Sequence, residues 1–229
     1  MKNEDSFNEL SKSPQLLNFW NEINHNVKHN SLDEQFNSIT NTLMNYLCLS
    51  VSNATFKITE CEIYYYDIEH PDPYVHQGES QLYAGKLYFN KAGGVDITFG
   101  NIAYPLYASV LIRGIRNLKT NEYTNKITEI VNVLFENLGN IITEDSSIHL
   151  RELLPEYIKI EVPIRSKRIG LKKKEADFEE YIDKPYRYIT ELTPTHNFKD
   201  KENVVKQLLA ENKIQKEDII KILGYNLSV

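Results

Sequence analysis

One strand-like stretch in the middle of the chain carries acidic side chains at alternate positions. Residues 56–66 read FKITECEIYYY and are rich in β-branched and aromatic residues. Because side chains alternate between the faces of a strand, Glu60, Glu62 and Tyr64 share one face, with the carboxylates roughly 7 Å apart. In a pocket of low dielectric, one carboxylate raises the pKa of the other, which suits a general base. The alternative is that both carboxylates face solvent beside lysines of a neighbouring strand.

The rest of the pattern predicts a mixed α+β fold with one main domain. Two helices are expected at residues 14–24 and 31–49, the second beginning with Ser31 and Glu34 in capping-box spacing. Strand signals follow at residues 56–66, 82–89, 95–99 and 107–115, then a helix at 124–138 and extended segments at 157–171 and 185–192. The middle of the chain is therefore expected to form a sheet.

The composition becomes polar after Pro194. Residues 201–211 and 215–223 predict two short helices, with Gly224 as the stop signal. The expected division is a domain at residues 1–194, which includes N-terminal helices within 14–49, and a helical tail at residues 195–229.

Length and composition restrict the class of protein. A chain of 229 residues with 41% hydrophobic residues can close one sizeable core. Cys48 and Cys61 lie in unlike contexts, and no charged leader followed by an apolar segment opens the chain, so we expect a cytosolic protein with reduced thiols. No apolar run approaches the ~18 residues that a membrane helix needs, so a soluble chain is expected.

The charge is negative overall but unevenly distributed. A formal net charge of -6 opposes non-specific binding to nucleic acid. Basic residues without intervening acids are concentrated in one run, formed by Arg165, Lys167, Arg168, Lys172, Lys173 and Lys174. Taken alone, such a run indicates a solvated strand edge whose lysines discourage pairing.

The loop from Asp67 to His76 has an irregular course because it contains two prolines. Loops of this kind often form the wall of a binding site. An alternative is a metal cluster, as in a metal-dependent nuclease, since carboxylate and imidazole groups bind several divalent ions. Its candidate ligands are Asp67, Glu69, His70, Asp72 and His76.

Two further features bear on the site. Gly93 and Gly94 precede a strand and indicate a tight strand entry, because no phosphate-binding glycine motif surrounds them. Arg113 lies in an apolar strand, and an unpaired buried guanidinium is costly. It must therefore reach solvent or meet an anion such as a phosphate or a carboxylate.

The order of these pieces resembles the alkyladenine (3-methyladenine) DNA glycosylases. Residues 58–64 (ITECEIY) resemble the family's catalytic-glutamate strand, and residues 108–113 (ASVLIR) resemble its arginine-bearing strand. Residues 167–171 (KRIGL) and 185–188 (PYRY) are similar to its closing segments. The resemblance spans roughly residues 40–190 and implies an α+β domain with a curved, mostly antiparallel sheet flanked by helices.

The resemblance also implies roles for individual residues. Glu62 would be the general base that activates water, Tyr64 and His76 would line the base pocket, and Arg113 would support it. Asp96 stands where the family has another pocket tyrosine, a departure that affects base specificity. Phe99 stands where the family has the tyrosine that intercalates into DNA. The residues expected to contact the DNA backbone are Arg165, Lys167, Arg168 and Lys172.

The function implied by the resemblance is base excision. The chain would flip alkylated or deaminated purines out of duplex DNA and hydrolyse the N-glycosyl bond, leaving an abasic site, without a metal or other cofactor. It would act as a monomer in the cytoplasm, associated with the nucleoid. The alternative is a catalytically inactive relative that binds DNA or nucleotides on the same scaffold.

Overall fold

The computed structural model describes residues 13–52, 54–140, 142, 146–172 and 179–227. Within these residues, nine strands form one curled antiparallel sheet flanked by helices. The fold is a mixed α+β single domain, so the predicted fold class is confirmed. The described part of the chain has no helix that is both long and apolar enough to cross a membrane.

The helices are α1 (Pro14–Ile23), α2 (Leu32–Tyr46), α3 (Ile127–Glu136), α4 (Glu180–Asp183), α5 (Lys201–Ala210) and α6 (Lys216–Leu223). The strands are β1 (Leu47–Val51), β2 (Ala54–Tyr66), β3 (Leu87–Phe89), β4 (Val95–Thr98), β5 (Tyr107–Asn117), β6 (Tyr123–Thr124), β7 (Ile148–Glu152), β8 (Ile164–Ser166) and β9 (Arg187–Ile189). Short 3-10 turns lie at Glu79–Leu82 and Pro155–Tyr157.

Strand β2 is the centre of the sheet, whose order is β3-β4-β5-β2-β1-β7. One edge of β2 pairs with β5, and the other edge pairs first with β1 and then with β9, which in turn pairs with β8. The register between β2 and β5 shifts on both sides of Glu60. Such an irregularity bends a strand, here at the position of the first of the two glutamates.

The two faces of the sheet have opposite chemistry. Cys61, Ile63 and Tyr65 of β2 belong to the main hydrophobic core, which also includes residues of α1 and α2. The Phe36 ring of α2 lies 5.5 Å from the Tyr65 ring, measured between centroids. By strand alternation, Glu62 and Tyr64 face away from this helical layer. The candidate site therefore lies on the sheet face opposite α1 and α2.

The second helix ends earlier than the sequence predicts. It begins as expected, because the Ser31 hydroxyl accepts a hydrogen bond from the Glu34 N–H at 3.2 Å. Residues 47–51, however, form β1, which pairs with β2 on one side and β7 on the other. Pairing on both sides satisfies the backbone groups and overrides the helical pattern that continues through Leu47.

Several predicted extended segments form strands over only part of their length. The segment at 82–89 contributes β3, the segment at 157–171 contributes β8, and the segment at 185–192 contributes β9. The predicted helix at 124–138 is shorter at both ends, since it forms α3 after the two-residue strand β6. Strand β7 was not predicted.

The two helices of the C-terminal segment are present and end as expected, with Gly224 at a φ of 82° closing α6. Helix α5 packs on the sheet, because Val204 and Leu208 form a hydrophobic cluster with Phe198 and with Ile189 of β9, and α6 packs on α5 in a second cluster that joins Val205 to Ile219 and Ile222. The segment is therefore joined to the sheet through buried contacts.

Candidate active site

A cavity of about 520 Å³ lies on the polar face of the sheet. Tyr64, His76, Asp96 and Arg113, all singled out by the sequence, line this one cavity. Its volume falls in the usual range for small-ligand pockets. The structure thus brings four predicted pocket residues together, from β2, β4, β5 and the loop after β2.

Two loops form the cavity walls. The loop after β2 contributes residues 73–76, and the segment after β8 contributes residues 169–172. The Tyr74 hydroxyl donates a hydrogen bond to the Lys172 carbonyl at 2.9 Å, which links the two walls. The prediction that the proline-containing loop walls a pocket is confirmed.

Glu62 lies directly behind the cavity lining and is fully buried. Its Oε1 accepts a hydrogen bond from the Ile169 N–H at 2.7 Å. Its Oε2 accepts one from the Tyr64 hydroxyl at 3.0 Å and faces Nη1 of Arg113 at 3.4 Å. All three partners line the cavity, so one layer of groups separates the carboxylate from the cavity space.

Glu60 shares the face with Glu62, as the alternation predicts, and both carboxylates are buried. The Glu60 Oε1 accepts a hydrogen bond from Arg187 Nε at 2.7 Å and lies 3.3 Å from Arg113 Nε. Arg113 therefore meets two protein carboxylates, and the alternative that both glutamates face solvent is wrong. The cluster contains two acidic and two basic side chains, which balances its charge.

Burial has the largest effect on the pKa of the Glu62 carboxyl. It raises the pKa of Glu62, while Arg113 and the Ile169 N–H act in the opposite direction by favouring the charged form. Burial and the neighbouring Glu62 also raise the pKa of the Tyr64 hydroxyl well above its usual range, so this group stays protonated as a donor. A carboxyl with a raised pKa next to a cavity is a candidate general base.

Asp96 is the carboxyl group that lines the cavity itself. Its Oδ1 accepts a hydrogen bond from Asn90 Nδ2 at 2.8 Å, and its Oδ2 accepts one from the Ser109 hydroxyl at 2.7 Å. Burial raises the pKa of Asp96 to about 6, although both hydrogen bonds favour the charged form. Asp96 therefore changes its charge close to neutral pH.

The structure contradicts the expected role of Phe99. Its side chain is fully buried in the main core, on the sheet face opposite Asp96. Its ring lies 6.4 Å from Phe36 and 6.3 Å from Tyr65. The reason is strand alternation, because positions 96 and 99 differ by an odd number of residues. Phe99 cannot protrude into DNA from this position, whereas Tyr104 in the turn between β4 and β5 is 73% exposed.

The expected DNA-backbone residues have different environments. Arg168 is buried and pairs with the buried Asp72 at 2.7 Å, so it cannot contact a phosphate, and this prediction is wrong. Arg165 forms an ion pair with Asp33 at 2.8 Å. Lys167 is exposed and lies 3.5 Å from Asp183, and Lys172 lines the cavity. The rest of the basic run, Lys173 and Lys174, lies outside the described residues.

The acidic loop does not form the alternative metal cluster. Asp67 accepts hydrogen bonds from the backbone N–H groups of Glu69 and His70, and Asp72 is paired with Arg168. Among the residues that the structure describes, no group of three His, Cys, Asp or Glu side chains is arranged to hold a metal ion. The loop carboxylates instead stabilise the loop itself.

Sequence reasoning missed several residues of the site. Arg187 is an arginine in a short apolar strand, the same signal that identified Arg113, and it was assigned no role. Lys199 lines the cavity from the C-terminal segment, and Gln81, Asn90 and Ser109 surround Asp96. These polar residues carry no sequence motif, because only the fold brings them together.

Comparison with known proteins adds a family but no activity. No model of a known protein family matches the chain. The chain is 30% identical over 191 residues to the uncharacterized protein L759 of Acanthamoeba polyphaga mimivirus, in a match that covers 69% of this chain and 86% of the viral protein.

Proposed function

The chain belongs to the same family as the uncharacterized mimivirus protein L759. From the residues that line its cavity, we propose that it is a DNA N-glycosylase. It would remove alkylated or deaminated purines from duplex DNA and leave an abasic site. The observation that carries this proposal is the convergence of Tyr64, His76 and Arg113 on one cavity, with the Glu62 carboxylate directly behind them.

The proposed role of Glu62 is to orient and deprotonate water. A water molecule would replace the Tyr64 hydroxyl at Oε2, where the contact to Arg113 is long at 3.4 Å. The water oxygen then bonds to the sugar C1′, its proton passes to Glu62, and the electrons of the N-glycosyl bond leave with the base. The transition state resembles an oxocarbenium ion, which a neighbouring carboxylate stabilises.

The proposed pocket suits a purine that has been rotated out of the duplex. Base flipping costs a few kcal/mol and is easiest for lesions that pair badly. The aromatic side chains of Tyr64 and Tyr74 line the cavity, and aromatic faces attract cationic rings such as alkylated purines. A base that already carries positive charge leaves as a neutral molecule, so its departure needs no separate acid.

DNA docking would rely on local basic charge, since the net charge of the chain is -6. Lys172 lines the cavity from the segment after β8, and Lys199 lines it from the C-terminal segment. Lys167 is exposed and precedes the residues after β8 that form the cavity wall. Phosphate contacts position a protein on DNA, and only the docking face must be basic.

The experiment compares Glu62→Gln with the unaltered chain on duplexes that each contain one modified purine. Formation of abasic sites is expected to fall by about 100- to 10,000-fold, the usual loss when a general base or charge stabiliser is removed. Binding of the lesion-bearing duplex should remain within about threefold. A natural chain that releases no base from any alkylated or deaminated duplex refutes the proposal.

Glu191→Gln is the matched control, because Glu191 is also a buried carboxylate with basic partners, but its partners Lys57 and Arg116 do not line the cavity, whereas those of Glu62 do. Both variants must be assayed well below their unfolding temperatures. Loss of excision in both variants at full folding would indicate a general effect of charge removal and would count against a specific role of Glu62.

A second candidate function is binding without turnover. The complete burial of Glu62 favours it, since each carboxylate oxygen already has a protein donor and water must displace one of them. This candidate predicts lesion-specific duplex binding by the unaltered chain with no abasic sites, and no change in binding for Glu62→Gln.

A further inference from the structure

Asp96 is held in the cavity by two hydrogen-bond donors whose orientations are fixed by their other partners. The side-chain oxygen of Asn90 accepts hydrogen bonds from the backbone N–H groups of Ala92 at 2.9 Å and Gly94 at 3.1 Å. The amide nitrogen of Asn90 must therefore point to Asp96. Gly94 makes this possible, because a Cβ at that position would lie 2.9 Å from Asn90 Nδ2.

The second donor is fixed by a chain of three hydrogen bonds. The Gln81 oxygen accepts from the Gly78 N–H at 3.1 Å, so its amide nitrogen donates to the Ser109 oxygen at 2.9 Å. The Ser109 proton is then directed to Asp96 Oδ2 at 2.7 Å. Gln81 and Ser109 are both buried, which makes reorientation costly.

The carboxylate is therefore held as a pure acceptor. Each of its oxygens can accept two hydrogen bonds and receives one from the described residues. The described residues leave one acceptor position on each oxygen unused, and Asp96 lines the cavity, so these positions are its candidate contacts to a bound molecule. Two adjacent acceptors match a ligand with two adjacent N–H donors, and the negative charge adds attraction to a cation.

We propose that Asp96 determines base specificity by selecting a purine whose edge presents two adjacent N–H donors, as guanine does with N1–H and the 2-amino group. This inference rests on the proposed purine-binding role of the cavity. An adenine edge presents one donor beside a ring nitrogen acceptor, which would face a carboxylate oxygen. Hypoxanthine has the N1–H donor but lacks the 2-amino group. The favoured ligand class is guanine alkylated at N7, which combines both donors with positive charge in the nucleotide.

The experiment measures binding of free bases to the full chain by calorimetry, which requires no turnover. The probes are 7-methylguanine, hypoxanthine and 3-methyladenine. The unaltered chain is expected to bind 7-methylguanine at least tenfold more tightly than the other two, since one correct bidentate contact gives about 10- to 100-fold discrimination.

Asp96→Asn replaces one acceptor by a donor. We expect it to bind 7-methylguanine at least tenfold more weakly and to bind hypoxanthine as tightly as before or more tightly, since an amide complements the N1–H and the 6-oxygen of hypoxanthine. A relative gain for one ligand cannot result from partial unfolding. Asp183→Asn, an exposed carboxylate on α4, is the matched control and should leave all three affinities unchanged.

Equal affinity of the unaltered chain for the three bases, or an unchanged preference in Asp96→Asn, overturns the inference. Its failure is separate from that of the proposed function, because base preference is measured without excision. A chain that binds 7-methylguanine selectively but never forms abasic sites would retain the specificity assignment and lose the glycosylase assignment.

Discussion

Two buried carboxylate clusters lie on the polar side of the sheet, and they differ in how tightly their acids are held. The Glu191 Oε1 lies 2.9 Å from Lys57 Nζ and accepts a hydrogen bond from Arg116 Nη2 at 3.0 Å, and its Oε2 accepts one from Arg116 Nε at 2.7 Å. Glu62 has one basic partner at 3.4 Å. The pKa of Glu191 is lowered to about 2 despite burial, whereas burial raises the pKa of Glu62.

This difference separates a structural acid from a candidate reactive one. A carboxylate with short contacts to two cations is stable as an anion and gains little from accepting a proton. A carboxylate with one distant cation retains more basicity, which a general base requires. The long contact of Glu62 therefore serves the proposed function, and the short contacts of Glu191 serve the fold.

The largest expected effect on stability is at Glu191. Glu191→Gln leaves Lys57, which is fully buried, without its charge partner. We expect the free energy of unfolding to fall by about 3–5 kcal/mol, because removing one member of a buried ion pair strands the other charge. Glu62→Gln should cost less than half as much. Chemical denaturation of both variants measures the two values, and equal losses would remove the distinction between the clusters.

The second expected effect is a loss of stability in acid. The folded pKa of Glu191 is below its ordinary value of 4.5, so its contribution is fully present above that pH and is lost as the pH falls toward 2. The shift corresponds to about 3 kcal/mol. The unaltered chain should be more stable than Glu191→Gln at pH 6, and this difference in unfolding free energy should shrink as the pH is lowered to 2.5. Parallel curves would show that Glu191 is not the titrating acid.

The smallest expected effect has the opposite sign and concerns Asp96. Its pKa is raised from 3.8 to about 6, so the charged form costs stability above pH 6 and this cost disappears as the pH falls through that value. Asp96→Asn removes the titrating carboxyl, although its new amide NH2 group must face one of the two donors that hold Asp96. The variant should therefore lose the change in unfolding free energy between pH 4 and pH 8 that this carboxyl causes, about 1–3 kcal/mol, whatever its stability at either pH. Chemical denaturation at both pH values measures this change. A variant that keeps the pH dependence of the unaltered chain between pH 4 and pH 8 would show that Asp96 is not the titrating acid.

Local patterns in the sequence predicted the acidic face of β2 correctly. Alternation placed Glu60, Glu62 and Tyr64 together, and the cost of burying an unpaired guanidinium predicted an anionic partner for Arg113. Both arguments depend on one strand at a time, so they do not require knowledge of the topology.

Predictions that depended on long-range packing were less successful. The end of α2 is set by pairing of residues 47–51 with two strands that are distant in sequence. Arg168 was expected on the surface because its neighbours are basic, yet Asp72 and the carbonyls of Ile63 and Tyr181 bind it inside the protein. Composition cannot identify such partners, because they are brought together only by the fold.

The contact between Arg187 and the last part of the chain couples regions that the sequence suggested were separate. Arg187 holds Glu60 through Nε at 2.7 Å, and its Nη2 donates to the Lys199 carbonyl at 2.7 Å. A truncation after residue 194 would remove the backbone carbonyl that accepts a hydrogen bond from Arg187. It would also remove the Lys199 side chain from the cavity lining. The segment before the first C-terminal helix thus supports the acidic strand, and shortening the chain there would disturb the ion pairs behind the cavity as well as the cavity lining.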